Sequence, residues 1–162
     1  MKILDEAQHI EKETEQYYRD LAAKEQHKGL KKILLHLADE EVKHFTILEK
    51  MKEKTNPDVP GTTILADAMK IFEDMKNQKS ETYQFDSQVV EMYKKAQNIE
   101  DKFQNFYLDK MKELESDEHK KIFKKLADEE KRHFFLLGNI IEFLARPETW
   151  LEDAEFYHLE KY

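Results

Sequence analysis

An internal repeat is the feature that most limits how this chain can fold. A shift of 89 residues aligns residues 7–48 with residues 96–137 without a gap, and 17 of the 42 positions are identical. Each copy holds two stretches whose apolar residues recur every three to four positions, which is typical of helices with one buried face. Only a few residues join the two stretches, so each copy is predicted to be an antiparallel hairpin. Such a duplication implies an approximate twofold axis, and a buried residue near that axis occurs twice.

The hairpins account for four long helices, and a longer segment connects them. Asp86 and Ser116 are the expected N-caps of the third and fourth helices. A link of about 30 residues with its own amphipathic piece is long enough to run the length of a bundle. We therefore predict an all-α fold: a four-helix bundle of two antiparallel hairpins with one long crossover. The predicted helices span about 3–26, 29–54, 87–115 and 117–145, and the repeat halves are 3–54 and 87–145. The crossover is 55–86 and contains an amphipathic piece at about 62–77. The bundle domain is 1–145, and a short C-terminal tail, 146–162, is expected to pack on it.

Composition narrows the class of protein. The chain of 162 residues carries 35 acidic and 27 basic ones, and the formal charge of −8 disfavours nucleic-acid binding, which needs clustered Lys and Arg. Cys is absent, which excludes a disulfide scaffold, a cysteine metal site and a cysteine nucleophile. No apolar run reaches the roughly 18–20 residues of a membrane span, and no signal-peptide segment follows Met1. We expect a soluble, cytoplasmic protein without membrane contact.

Six titratable residues lie on or beside the apolar stripes, where a charge is costly. Four carboxylates near one axis repel one another and are unfavourable among apolar side chains unless something compensates them. Two divalent cations would do so, since carboxylate and imidazole together suit iron or manganese. Glu and His three residues apart share one helix face, so each Glu-x-x-His pair can ligate one metal. The six match in pairs across the repeat: Glu11 with Glu100, Glu41 with Glu130, and His44 with His133.

Each copy offers two adjacent glutamates before its histidine. Glu41 and Glu130 continue the apolar stripes, and we prefer them as ligands. Glu40 and Glu129, four residues before the histidines, remain the alternatives. A bundle whose site has decayed, with Glu and His pairing as a buried polar network, is the alternative to metal binding.

Two further pairs of residues repeat near these positions. Asp39 and Asp128 either accept a hydrogen bond from an imidazole across the bundle or lie on a solvated helix face. Tyr18 and Tyr107 follow the single glutamate of each copy by two helical turns. We favour core packing with satisfied hydroxyls over a redox role, and a hydrogen bond to a ligand carboxylate is compatible with that packing.

Glu-x-x-His alone is a weak signal, because two more copies occur outside the pattern. Glu6 and His9 form one, but His9 points away from the apolar stripe and its counterpart is Asn98. Glu155 and His158 form the other, in the unrepeated tail. We interpret both as surface residues.

With these motifs the sequence resembles the rubrerythrin-type diiron domain of the ferritin-like superfamily, over about residues 3–145. The motifs are E-x-x-T-x-x-x-Y (11–18), LADEEVKH (37–44), E-x-x-F-x-x-x-Y (100–107) and LADEEKRH (126–133). Tail residues 146–162 also resemble the ending of small stand-alone members. The resemblance implies two iron ions, bridged by Glu41 and Glu130 and completed by Glu11, His44, Glu100 and His133.

Two departures from the family pattern matter. Rubrerythrin carries a C-terminal rubredoxin module that holds iron through four Cys, and this sequence has no Cys, so electrons are expected from a separate donor protein. Rubrerythrin also has a second Glu on the third helix, one turn after the first. That position is Phe103 here, and its repeat mate is Thr14. We therefore expect a symmetric site, closer to that of ferritin and bacterioferritin.

The resemblance implies a diiron oxidoreductase that reduces peroxide or dioxygen. Alternatives are a ferroxidase of an iron-storage protein and a non-catalytic bundle that holds manganese or zinc. We expect a homodimer, since paired bundles are common in such folds.

Overall fold

The computed structural model describes residues 2–78 and 82–162, and within them it contains helices and no strand. The predicted all-α class is therefore confirmed. The observed helices are α1 (Lys2–Lys24), α2 (Lys28–Lys52), α3 (Ile64–Asn77), α4 (Ser87–Lys110), α5 (Asp117–Ala145) and α6 (Pro147–Glu152), with short 3₁₀ turns at Met111–Glu113 and Glu155–Lys161.

The helix ends follow the repeat. Helix α2 begins at Lys28 and α5 at Asp117, positions separated by the 89-residue shift. As predicted, the carboxylate of Asp86 accepts the N–H of Gln88 and caps α4. The hydroxyl of Ser116 accepts the N–H of His119 and caps α5, because the first N–H groups of a helix lack partners within it.

The helix ends also differ from the predictions by a few residues. Helix α1 ends at Lys24, two residues before the predicted end. The third long helix was predicted to reach residue 115, but regular α-helix ends at Lys110 and the chain tightens into a 3₁₀ turn. Such tightening at helix ends satisfies the last carbonyl groups and leaves no trace in the apolar pattern.

Helix α3 lies in the crossover and packs against α2. Gly29, near the start of α2, permits a close approach: a Cβ there would lie 2.9 Å from Sδ of Met75 and 3.0 Å from Cγ2 of Ile71. Gly29 lies inside the helix with ordinary backbone angles. The packing of α3 explains the glycine.

The C-terminal segment contributes aromatic side chains to one end of the bundle. Trp150 of α6 is fully buried, and its ring centroid lies 4.5 Å from that of Phe72 on α3 and 5.6 Å from that of Phe143 on α5. Phe156 extends the same cluster. The tail therefore joins the crossover helix to the second hairpin.

The core consists of two apolar clusters. One contains Leu21, Leu30 and Trp150, and lies toward the α1–α2 turn. The other contains Leu4 and Phe123 and lies toward the α4–α5 turn. Buried polar residues occupy the four long helices between them, and this layer is the candidate site.

Within the part of the chain that the structure describes, no helix is long and apolar enough to cross a membrane.

Candidate metal centre

Each long helix contributes to one buried polar layer. Helices α1 and α4 each supply one glutamate, whereas α2 and α5 each supply a glutamate and a histidine three residues later. A spacing of three places both side chains on the helix face that contacts the other hairpin. Every one of these side chains is at most 1% exposed: Glu11, Glu41, His44, Glu100, Glu130 and His133.

The six side chains form two overlapping groups of potential ligands. In each group, one ligand atom per residue lies within 4.8 Å of the others. Glu41 and Glu130 belong to both groups, so they occupy the bridging positions between two subsites. The first group is Glu11, Glu41, His44 and Glu130, and the second is Glu41, Glu100, Glu130 and His133.

The two imidazoles face the cluster through the same nitrogen. Nδ1 of His44 lies 3.0 Å from Oε2 of Glu11 and 2.9 Å from Oε1 of Glu130. Nδ1 of His133 lies 3.1 Å from Oε1 of Glu41 and 3.2 Å from Oε2 of Glu100. The rings are nearly parallel, with centroids 6.1 Å apart. Each Nδ1 therefore meets one bridging glutamate and the single glutamate of its own hairpin.

The opposite nitrogens contact glutamates of the other hairpin. Nε2 of His44 lies 2.9 Å from Oε1 of Glu129, and Nε2 of His133 lies 3.0 Å from Oε1 of Glu40. Glu40 and Glu129 were the alternative ligands, but the structure places them behind the imidazoles and outside both groups. An acceptor there keeps the proton on Nε2 and leaves Nδ1 for the centre.

The aspartates that repeat nearby have another role. Asp39 is exposed and pairs with Arg19, at 3.1 Å between Nη2 and Oδ1. Asp128 pairs with Lys124 on the surface, at 2.7 Å. The hypothesis that Asp39 and Asp128 orient the imidazoles is therefore wrong, and the solvated alternative holds.

The donor set passes a chemical test for metal binding. Buried polar atoms normally have hydrogen-bond partners, yet both carboxylate oxygens of Glu11, Glu41 and Glu130 have none among the described residues. Nδ1 of His44 has none either, although two carboxylate oxygens lie within 3.0 Å of it. These atoms converge without pointing at one another as hydrogen-bond partners would, and such an arrangement fits cations held between them.

The pKa values of the buried carboxyl groups in the metal-free protein also fit a site that binds cations. Burial, followed by the charge of Glu41, raises the pKa of Glu11 well above its usual value. Burial and the charge of Glu100 do the same to the pKa of Glu130. The core therefore tolerates these carboxylates in neutral form, or ionised beside a compensating positive charge.

Positive charge is already favoured on the imidazoles. Burial opposes the charged form of His44, but close contacts with the carboxylates of Glu129 and Glu130 outweigh it and raise its pKa to about 10. Burial also opposes ionisation of Glu40, but contact with His133 outweighs it and lowers the pKa of Glu40 to about 2. In the metal-free protein, the protonated imidazole of His44 thus partly compensates the buried carboxylates.

The repeated tyrosines differ in their contacts. Tyr18 is fully buried, and its hydroxyl donates to Oε1 of Glu100 at 2.8 Å. Tyr107 is equally buried, but its hydroxyl has no partner among the residues described. Its ring stacks on Phe103, with centroids 4.6 Å apart. Phe103 thus extends the apolar packing beside Tyr107.

The sequence did not predict two contacts of buried glutamates, one beside the site and one at the α1–α2 turn. The hydroxyl of Thr62, in the crossover, donates to Oε1 of Glu40 at 2.6 Å. Glu25, at the α1–α2 turn, is 4% exposed and accepts the hydroxyl proton of Tyr93. Neither Thr62 nor Glu25 has a repeat mate of its own residue type, so the repeat carried no signal for them.

The two unmatched Glu-x-x-His motifs lie outside the centre. His9 is exposed and pairs with Glu13, at 2.6 Å. Glu155 pairs with Arg146. Their interpretation as surface residues agrees with the structure.

Comparison with known proteins adds one finding. A protein-family model described as rubrerythrin matches residues 2–140, which contain both aligned copies of the repeat, 7–48 and 96–137, and all six residues of the cluster. No curated protein and no solved structure matches the chain.

Proposed function

Since the chain belongs to the rubrerythrin family, we propose that its cluster binds two iron ions and reduces peroxide or dioxygen with electrons from an external donor. One observation carries the proposal. Two groups of four ligands share Glu41 and Glu130, and their carboxylate oxygens have no hydrogen-bond partner among the described residues. Shared carboxylates hold two metals close together, as two-metal sites require.

The six ligands suit iron because they combine carboxylate oxygens with one imidazole for each metal. When bound, the irons supply electrons and act as Lewis acids on the oxygens of the oxidant. Four ionised glutamates against two divalent ions give a cluster near electrical neutrality, which removes the penalty of burying the carboxylates.

The protein holds the ligand atoms in place from both hairpins. Glu40 and Glu129 accept from Nε2 of the two imidazoles and so aim each Nδ1 at the centre. The hydroxyl of Tyr18 fixes one oxygen of Glu100. Because these contacts cross between hairpins, they connect the geometry of the ligands to the folding of the whole bundle.

Burial also limits which reactants reach the centre. All six ligand residues are at most 1% exposed, and an apolar cluster lies on each side of them. A small oxidant suits such a site better than an organic substrate, which needs a cavity of several hundred Å³. The 162 residues contain no Cys for an iron–sulfur or rubredoxin-type centre, which supports an external electron donor.

Stopped-flow spectroscopy tests the proposal. The full chain is loaded anaerobically with two equivalents of ferrous iron and mixed with hydrogen peroxide or, separately, with oxygenated buffer. We expect rapid oxidation of both irons, and repeated turnover when a chemical reductant is supplied. Negligible oxidation by both oxidants would reject the proposal.

Matched histidine variants provide the control. His44→Ala removes a ligand, whereas His9→Ala changes an exposed histidine that also follows a Glu-x-x motif. We expect iron binding and oxidation to fall in the first variant only.

If oxidation by dioxygen instead deposits many iron ions per chain in a large assembly, the iron-storage alternative is favoured.

A further inference from the structure

We propose that Thr62 is a positioning residue that makes the two metal subsites unequal, by holding Glu40 against His133. The proposal rests on metal binding by the cluster, which is part of the function proposed above, and does not depend on peroxide chemistry. The ligand set itself is symmetric under the repeat, so the difference has to come from residues outside it.

Glu40 is held from two sides. Its Oε1 accepts the hydroxyl proton of Thr62 at 2.6 Å and faces Nε2 of His133 at 3.0 Å. The oxygen of Thr62 also accepts the N–H of Ile64 at 3.1 Å, which fixes it to the start of α3. The other oxygen of Glu40 lies 4.0 Å from Nε2 of His36, too far for a hydrogen bond. The hydroxyl of Thr62 is therefore the group that restrains the carboxylate of Glu40.

The other subsite lacks this restraint. Glu129 faces Nε2 of His44 at 2.9 Å, but within residues 2–78 and 82–162 no hydroxyl donates to it. The reason lies in the topology. A duplicated hairpin needs one crossover, so α3 and the residues before it lie beside α2 and are not repeated, whereas C-terminal segments pack beside α5.

The hydrogen bond from Thr62 to Glu40 affects how firmly the imidazole of His133 is held in its position as a metal ligand. Partners behind a metal-bound imidazole fix its tautomer and orientation, and losing them typically costs about 10–100-fold in metal affinity. Thr62 acts one contact further out, so we expect an effect near the lower end, about tenfold. The subsite of Glu41, Glu100, Glu130 and His133 should therefore fill first.

The test uses Co²⁺ as the probe and the metal-free full chain as the starting material. Imidazole resonances are assigned from His44→Gln and His133→Gln, and the protein is titrated with Co²⁺ while paramagnetic shifts are recorded. At one equivalent, His133 is expected to respond about ten times more than His44. Equal responses, or His44 responding first, would overturn the proposal.

Variants of two adjacent threonines separate positioning from general stability. Thr62→Val removes the hydroxyl and should weaken the preference for His133, whereas Thr62→Ser keeps the hydroxyl and should restore it. Thr63→Val is the control, because Thr63 donates to the exposed Asp67 and not to Glu40. Glu40→Ala is the second way to remove the restraint if Thr62→Val folds poorly.

The outcomes distinguish this proposal from the proposed function. Two bound Co²⁺ ions with no preference for His133, or a preference that Thr62→Val leaves unchanged, would reject the role of Thr62 alone. Failure to bind Co²⁺ would reject both proposals. Failure of the iron-loaded protein to react with peroxide would leave the inequality of the subsites standing.

Discussion

Tyr18 donates a hydrogen bond to Oε1 of Glu100 at 2.8 Å, and this contact joins α1 to α4 beside the candidate metal centre. The equivalent hydroxyl, that of Tyr107, has no hydrogen-bond partner among the described residues, and the ring of Tyr107 stacks on that of Phe103. The repeat preserves both tyrosines, but the structure gives only one of them a hydrogen bond to a candidate ligand.

This difference predicts unequal costs for two matched substitutions. Tyr18→Phe leaves one oxygen of the buried Glu100 without a donor, which costs about 1–3 kcal/mol of unfolding free energy. Tyr107→Phe removes a hydroxyl without a partner and should cost less than about 1 kcal/mol. Urea unfolding of the metal-free proteins measures both. Equal costs would show that Tyr18 contributes through its ring alone.

Alkaline pH should destabilise the metal-free protein. The pKa of His44 is raised to about 10, so its contribution to stability is complete below the unfolded value of about 6.5 and is lost as pH rises toward 10. The raised pKa values of Glu11 and Glu130 act in the same direction. We expect the free energy of unfolding to fall between pH 7 and pH 9.5, when followed by urea titration.

Two histidine variants test whether His44 causes this loss of stability at alkaline pH. His44→Gln should flatten the pH dependence, whereas His9→Gln should leave it unchanged because His9 is exposed. A steep loss of stability that persists in His44→Gln would place its origin elsewhere.

Metal binding should release protons. Burial and neighbouring carboxylates raise the pKa values of Glu11 and Glu130, so in the metal-free protein these groups keep their protons to higher pH than ordinary carboxyl groups do. Ligands bind metal in their deprotonated forms, and affinity should therefore increase with pH. Calorimetric titration with Zn²⁺ in buffers of different ionisation enthalpy measures the release. An apparent enthalpy that is independent of the buffer would contradict this expectation.

The repeat made the fold and the polar layer predictable, but it could not identify contacts between hairpins. Periodicity shows which side of a helix is buried, so Glu41 and Glu130 could be preferred over their neighbours. It does not show which residue of another helix a side chain meets. For that reason Asp39 and Asp128 were open candidates for contacts that Glu40 and Glu129 make. Thr62 lies in the unrepeated crossover, where no internal comparison exists.

Two glycines inside helices should respond oppositely to alanine. A Cβ at Gly29 would lie 3.0 Å from Cγ2 of Ile71, a branched side chain that cannot easily move, so Gly29→Ala should destabilise the protein. Among the described residues, a Cβ at Gly138 would meet only the terminal Nε2 of Gln97, whose hydrogen bond to the carbonyl of Phe134 is long, at 3.4 Å, so that the amide can swing away. Gly138→Ala should therefore gain up to about 1 kcal/mol from helix propensity. Thermal unfolding of both variants tests this prediction. If Gly29→Ala were more stable than the unchanged protein, α3 would have to shift to make room for the methyl group.

Glu25 and Tyr93 form a buried pair whose repeat mates are Leu114 and Leu4. The leucines pack in an apolar cluster near one end of the bundle, whereas the hydroxyl of Tyr93 donates to Glu25 near the other. Glu25 also accepts the N–H of His27 at 3.1 Å, which ties it to the α1–α2 turn. The same two positions are thus filled by either a hydrogen-bonded pair or an apolar one.

A double-mutant cycle should reveal that these alternatives work only as pairs. Glu25→Leu leaves the hydroxyl of Tyr93 without its acceptor, at a cost of about 1–3 kcal/mol. Tyr93→Phe leaves the carboxylate without its side-chain donor, at a similar cost. With both changes the position resembles the apolar end of the bundle, so the double variant should be more stable than the sum of the single effects by about 0.5–3 kcal/mol. Additive losses in urea unfolding would mean that Glu25 acts mainly through His27.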